Sequence, residues 1–190
     1  MEKIRAFIAI DISEKAREEA ARIQGGLKDA DADVKWVPVG NIHITFSFLG
    51  DITLRSVEDV KDAMERTALS IAGFELSLDG LGAFPGWGRP RVIWIGIGKG
   101  VPEIERLSLS LDRNLEKKGF SRDSAEFKPH ITIGRVRSGS GVGLLREKAL
   151  GMIPRPEVSR IDRITLYRSE LRQEGPVYTP IYEKSLAKKQ

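Results

Sequence analysis

"NIHITFSFLG", residues Asn41–Gly50, contains one of only two histidines in 190 residues, and "KPHITIGR", Lys128–Arg135, contains the other. The triplet His-Ile-Thr is written twice. Successive side chains of an extended strand alternate between faces, so His43 and Thr45 share one face while Ile42, Ile44, Phe46 and Phe48 take the other. His130 and Thr132 stand in the same relation to Ile131 and Ile133. Each stretch therefore reads as a strand with an apolar face for a core and a polar His/Thr pair on the opposite side. Threonine occurs only six times in the chain, so a Thr two places after both histidines by accident is roughly a one-in-a-thousand event. A satisfied core histidine beside an ordinary β-former explains either site alone, but it leaves their match unexplained.

Around each triplet the pattern alternates between strand and helix with short breaks. "IRAFIAIDI" (Ile4–Ile12) is an apolar central strand, and Asp11 with Glu14 resembles a capping box. Ala16, Ala20, Ile23 and Leu27 then recur at helical spacing, with fraying expected near Gly25 and Gly26. "VKWVP" precedes the first triplet, and a second helix carrying Val57, Val60, Met64 and Ala68 opens at Asp51 and Thr53. The second unit starts with the strands "FELSLDGLGAF" and "RVIWIGI", separated by "PGWGRP". A helix follows from Pro102 through Ile104, Leu107, Leu111 and Leu115 to Gly119, then the second triplet, the loop "RSGSGVG" and the short helix "LLREKALGMIP". "VSRIDRITLYRSEL" and "VYTPIYEKSL" read as closing strands. No Gly-, Ser- or Pro-rich linker separates the units, so residues 1–190 are expected to form a single domain of two lobes, each contributing one His-x-Thr motif.

Composition bounds the chemistry. The 41% hydrophobic content suffices for a buried core, and no window reaches the length of a membrane span. The opening "MEKIRAFIAIDISEK" runs straight into charge, which implies a soluble, cytoplasmic protein. Absence of cysteine removes disulfides and thiolate chemistry. A net charge of +4 leans toward an anionic partner. Neither a Gly-x-Ser-x-Gly elbow nor a phosphate-binding glycine loop occurs, and no metal or cofactor is expected, because no His-x-x-x-His or His-x-x-Glu spacing accompanies the triplets.

Two imidazoles with ordinary pKa values near 6.5 suit paired general acid and base work around one phosphorus atom. One takes a proton from the attacking water and the other donates to the departing alkoxide, while the Thr45 and Thr132 hydroxyls hold non-bridging oxygens.

The paired motifs 87 residues apart, the framing "WVPVGNIHITFSFLGD", the proline before the second motif and the arginine after it resemble the 2H phosphoesterase superfamily. Within it the chain is similar to the RNA 2′,3′-cyclic phosphodiesterases, historically called 2′-5′ RNA ligases. The resemblance runs from "RAFIAI" through "GLGAFP", "RVIWIGI" and "FKPHITIGR" to "ITLYRSEL". It implies an α+β, bilobal fold of pseudo-two-fold duplicated antiparallel sheets, flanked by helices, with a central groove. It further implies hydrolysis of RNA 2′,3′-cyclic ends to 2′-phosphomonoesters, with His43 the proton donor, His130 the proton acceptor, and Thr45 and Thr132 on the phosphate. The near-symmetric motifs do not by themselves fix which histidine is the acid.

Arg135 occupies the place of a phosphate-binding arginine in that family. Strict alternation puts Gly134 on the His130 face, so Arg135 needs a bulge near Gly134 to reach the groove. Phe7, Phe48, Phe84, Trp87 and Trp94 are candidates for stacking a terminal base. Trp87 is foremost, because it lies between two glycines in a loop with Arg89 and Arg91 close by. The partners expected are RNAs with 2′,3′-cyclic phosphate ends, such as tRNA fragments, or small cyclic nucleotides, acted on by a monomer. Two rival readings share this surface: a module that grips RNA ends without turnover, and 2′-5′ ligation as the reverse of the same reaction.

Overall fold

The computed structural model describes residues 2–121, 127–173 and 175–188. The apolar opening run becomes β1 (Lys3–Asp11), which sends Ile4, Ala6, Ile8 and Ile10 into the core. Helix α1 (Glu14–Lys28) follows, and its N-cap is Ser13, whose hydroxyl accepts from the Ala16 N–H at 3.3 Å. The expected capping role of Asp11 is therefore corrected: Ser13 caps the helix, and Asp11 stays in the strand with its carboxylate free for other partners. Nor does α1 fray at Gly25 and Gly26. Ile23, Gln24 and Leu27 are all buried there, and tertiary packing outweighs the weak helix propensity of glycine.

The remaining elements are β2 (Val34–Trp36), a 3₁₀ turn at Val39–Asn41, β3 (His43–Thr53), α2 (Leu54–Ser70), β4 (Phe74–Phe84) and β5 (Val92–Ile97). Then come α3 (Val101–Glu116), β6 (His130–Val136), α4 (Val142–Gly151), β7 (Val158–Ile161), β8 (Arg163–Arg172) and β9 (Gly175–Ser185). Thr53 caps α2 through its hydroxyl, and Pro102 sits in the first turn of α3.

Two antiparallel sheets result, with strand orders β3-β1-β8-β9 and β2-β6-β5-β4-β7. Each carries one His-x-Thr strand. The sheets are not built from contiguous halves of the chain, however. β2 crosses to pair with β6, while β8 and β9 return to complete the sheet begun by β1. Helix α1 packs with α4 and against β6 and β7; α2 packs against α3 and against β3, β8 and β9. One apolar cluster runs beneath both sheets. The helices thus cover one face of each sheet, and the other faces line the central groove. Among the described residues no helix is long and apolar enough to cross a membrane.

Candidate active site

His43 is the first residue of β3 and His130 the first of β6, so each imidazole stands where the strand leaves its preceding loop. The Nδ1–H of His43 donates to the Asn41 carbonyl at 2.8 Å, and that of His130 donates to the Lys128 carbonyl at 2.7 Å. Both bonds reach back two residues. This shared geometry fixes the tautomer and leaves each Nε2 as the working atom. Nε2 of His43 lies 2.9 Å from the Thr45 Oγ1, which donates to it in the free site.

The rings are held by different walls. His43 stacks on Phe7, with centroids 4.9 Å apart and planes at 24°, and meets the edge of Tyr178 at 5.5 Å. Asp11 is directly opposite it on β1 and accepts from Arg17 Nη2 at 3.0 Å and from the Tyr167 hydroxyl at 2.8 Å. His130 stands edge-on to Phe84 at 5.0 Å and beside Trp94 at 6.4 Å. Trp94 lies flat over Gly82, where any Cβ would strike the indole. That glycine lets the tryptophan floor the site.

Burial pushes the His43 pKa down to about 4, against the opposing pull of the Asn41 carbonyl and the Asp11 carboxylate and with a smaller lowering from Arg17. His130 is also lowered, by burial first, with the Lys128 carbonyl opposing and Arg135 reinforcing. Both imidazoles are neutral in the free site at neutral pH. The charged neighbours nonetheless differ in sign: an acid faces His43, and Arg135 dominates at His130.

Strand β6 carries the bulge that Arg135 requires. Thr132 pairs with Trp94 and Gly134 with Ile93, so Ile133 is the extra residue. Trp94 and Val92 are two apart on β5 and share a face. Arg135 pairs with Val92 and therefore joins Thr132 on the groove side. Its charge acts on both His130 and Tyr178, which sit on opposite walls. The displaced Ile133 carbonyl accepts from the Val37 N–H at 3.0 Å and from Gln24 Nε2 at 2.7 Å. Gly134 turns toward β2, where a Cβ would approach Val34 Cγ1 to 2.8 Å.

The aromatic candidates separate clearly. Trp87 is half-buried, packs against the core and is in ring contact with neither histidine. Phe48 was expected on the core face with Phe46. Irregularities in the β1–β3 register turn it opposite Phe7, on the His43 face, where it is 69% exposed. Among the described residues no group of three or more His, Asp or Glu side chains converges in a way that could hold a metal ion.

The model of the family described as LigT-like phosphoesterase matches twice in tandem, over residues 10–94 and 96–178. The chain belongs to the LigT-like phosphoesterase family. Each match contains one His-x-Thr motif, and the boundary falls inside β5. An RNA 2′,3′-cyclic phosphodiesterase of Methanothermobacter thermautotrophicus is 38% identical over 180 residues, covering 93% of this chain and 96% of that protein. Another, of Aquifex aeolicus, is 36% identical over 190 residues, covering 96% and 97%. Among solved structures, Escherichia coli LigT complexed with 3′-AMP superposes with a TM-score of 0.79 at 26% identity, covering 98% of this chain and all of that one.

In this LigT-like phosphoesterase the sequence pointed to both histidines, both threonines and Arg135, and the fold gathers them along one groove. It did not point to Asn41 and Lys128, which act through backbone carbonyls that leave no side-chain signal. Asp11, Arg17, Tyr167 and Tyr178 reach His43 from β1, α1, β8 and β9, and only the lone acid closing an apolar strand was a visible clue.

Proposed function

We propose that the chain hydrolyses 2′,3′-cyclic phosphodiester ends of RNA to 2′-phosphomonoesters by metal-independent general acid and base catalysis between His43 and His130. The observation that carries this reading is the matched Nδ1–H to carbonyl bond at each histidine, which frees two Nε2 atoms for proton transfer. Membership of the family, and relatives named RNA 2′,3′-cyclic phosphodiesterase, support the substrate class. Both motifs come from one chain, which supports action as a monomer.

His130 Nε2 accepts a proton as water attacks phosphorus, and the bond from phosphorus to the 3′ oxygen breaks. His43 Nε2–H protonates that oxygen, giving a 3′-hydroxyl and a 2′-phosphate. Arg135 beside His130 favours the neutral base, and Asp11 opposite His43 favours the protonated acid. Burial alone would keep His43 neutral, so the bound phosphate anion supplies the remaining field that protonates it. The Thr45 hydroxyl then turns from Nε2 to a non-bridging oxygen, Thr132 holds the other, and Arg135 stabilises the dianionic transition state. Phe48, exposed beside Phe7, gives the terminal base an apolar ring to rest on, with Trp87 the alternative platform.

Purified protein in chelator, given an oligoribonucleotide ending in a 2′,3′-cyclic phosphate, should yield only the 2′-phosphate, with kcat/KM reduced about 10²–10⁴-fold in both His43→Ala and His130→Ala. Tight binding without turnover, undisturbed by either substitution, would make it a binding module instead.

A further inference from the structure

Directly opposite residues on neighbouring antiparallel strands share a face. Lys35 on β2 pairs with Arg135 on β6, so it too points to the groove side, one strand further from the catalytic centre. Two cations placed opposite each other in a sheet repel and destabilise it. Neither has an acidic partner among the described residues, and both are exposed. On the helices, by contrast, Arg22, Lys61, Arg66, Arg106 and Lys118 pair with carboxylates. Two residue pairs further on, just past the strand ends, the Arg137 N–H donates to the Asp33 carbonyl. Lys35 and Arg135 thus set two cations without an acidic partner side by side on the groove face.

We infer that Lys35 binds the phosphodiester on the 5′ side of the terminal nucleotide, beside the cyclic phosphate held by Arg135, and so makes an RNA strand the preferred substrate over a mononucleoside cyclic phosphate. This rests on the proposed reaction for its orientation. Arg135 is tied to the reacting phosphate through its proximity to His130. Lys35 stands on the adjacent strand, about 4.8 Å away at the backbone, on a long flexible stem. Neighbouring strands therefore present two charges side by side, as successive phosphates of a single strand require. A mononucleoside cyclic phosphate with a free 5′-hydroxyl has nothing for Lys35 to bind. Among the described residues no strand lies beyond edge strand β2 in the sheet, so the upstream RNA leaves over it without obstruction from the ladder.

The test compares wild type, Lys35→Ala and Lys117→Ala, the last removing an exposed charge at the end of α3 on the helical side. Kinetics are read on a mononucleoside 2′,3′-cyclic phosphate and on a pentaribonucleotide with the same end. Binding of the 2′-phosphorylated pentamer is followed by anisotropy across a salt series, which needs no turnover. Lys35→Ala is expected to lower kcat/KM for the pentamer about three- to tenfold while sparing the mononucleoside. It should also weaken pentamer binding and reduce its salt slope by about 0.7. Equal losses on both substrates, no loss on either, or the same loss in Lys117→Ala would overturn the assignment. If wild type turns over neither substrate, the reaction proposed above fails, and the salt slopes alone decide for or against Lys35.

Discussion

Replacing Gln24 by leucine removes a side chain that links α1 to the bulge on β6. Gln24 is 3% exposed, and its Nε2 donates to the Val37 carbonyl at 2.8 Å and the Ile133 carbonyl at 2.7 Å. Leucine matches its volume but brings no donor. The Ile133 carbonyl keeps its bond from the Val37 N–H, so its loss is an ordinary hydrogen bond, about 0.5–1.5 kcal/mol. The Val37 carbonyl is left bare at a cost of about 1–3 kcal/mol. The sum, about 2–4 kcal/mol, should lower Tm by roughly 5–15 °C in a chain of this size. The functional consequence is separate: the bulge is what turns Arg135 onto the His130 face, and a loosened bulge lets the guanidinium swing away. A hydrogen bond to a charged group is worth about 1.5–3 kcal/mol, so kcat/KM should fall about 10- to 100-fold. The assay is a double-mutant cycle with Arg135→Ala, in which the two losses should not add. If Gln24→Leu melts early yet keeps wild-type kcat/KM, or if the losses are additive, the link between Gln24, the bulge and Arg135 is refuted.

Further outcomes follow from the same geometry. His43 is held neutral in the folded protein down to about pH 4 but titrates near 6.5 when unfolded, so the unfolded state binds the extra proton between those values. Stability should therefore fall as pH drops from about 6.5 to about 4, by up to about 3 kcal/mol from this group; urea titrations of wild type and His43→Gln should show the smaller fall in the variant. An anionic substrate raises both histidine pKa values, so the kcat profile should lie at higher pH than the kcat/KM profile, and coincident profiles would remove the role given to the substrate's field. Phe48→Ala should raise KM severalfold for a cyclic phosphate carrying a purine base, with Tm nearly unchanged because the ring is largely exposed; an unaltered KM would leave Trp87→Ala as the variant to measure.

Much of the site was legible because period-two alternation is a local property. It places His and Thr together in each motif, and its parity shows that Arg135 needs a bulge to reach the groove. What lay beyond reach was decided over long range. Which sheet β2 joins, and that β8 pairs with β1, depend on packing partners about a hundred residues away or more. The register irregularities in β3 that expose Phe48 are likewise invisible in a run that alternates cleanly on paper. Asp11 was read as a helix cap because Asp-x-x-Glu fits that motif, while Ser13 two places on satisfies it in fact. The glycine pair in α1 carried a propensity penalty that burial of Ile23, Gln24 and Leu27 outweighs.

The division of labour between the two histidines is best tested with a substrate in which sulfur replaces the 3′ oxygen of the cyclic phosphate. A thiolate departs without needing a proton, whereas the attacking water still needs a base. The account predicts that the sulfur substrate restores most of the kcat/KM lost in His43→Ala and none of that lost in His130→Ala. Restoration in His130→Ala alone would reverse the assignment of acid and base, and restoration in neither would contradict the paired mechanism itself.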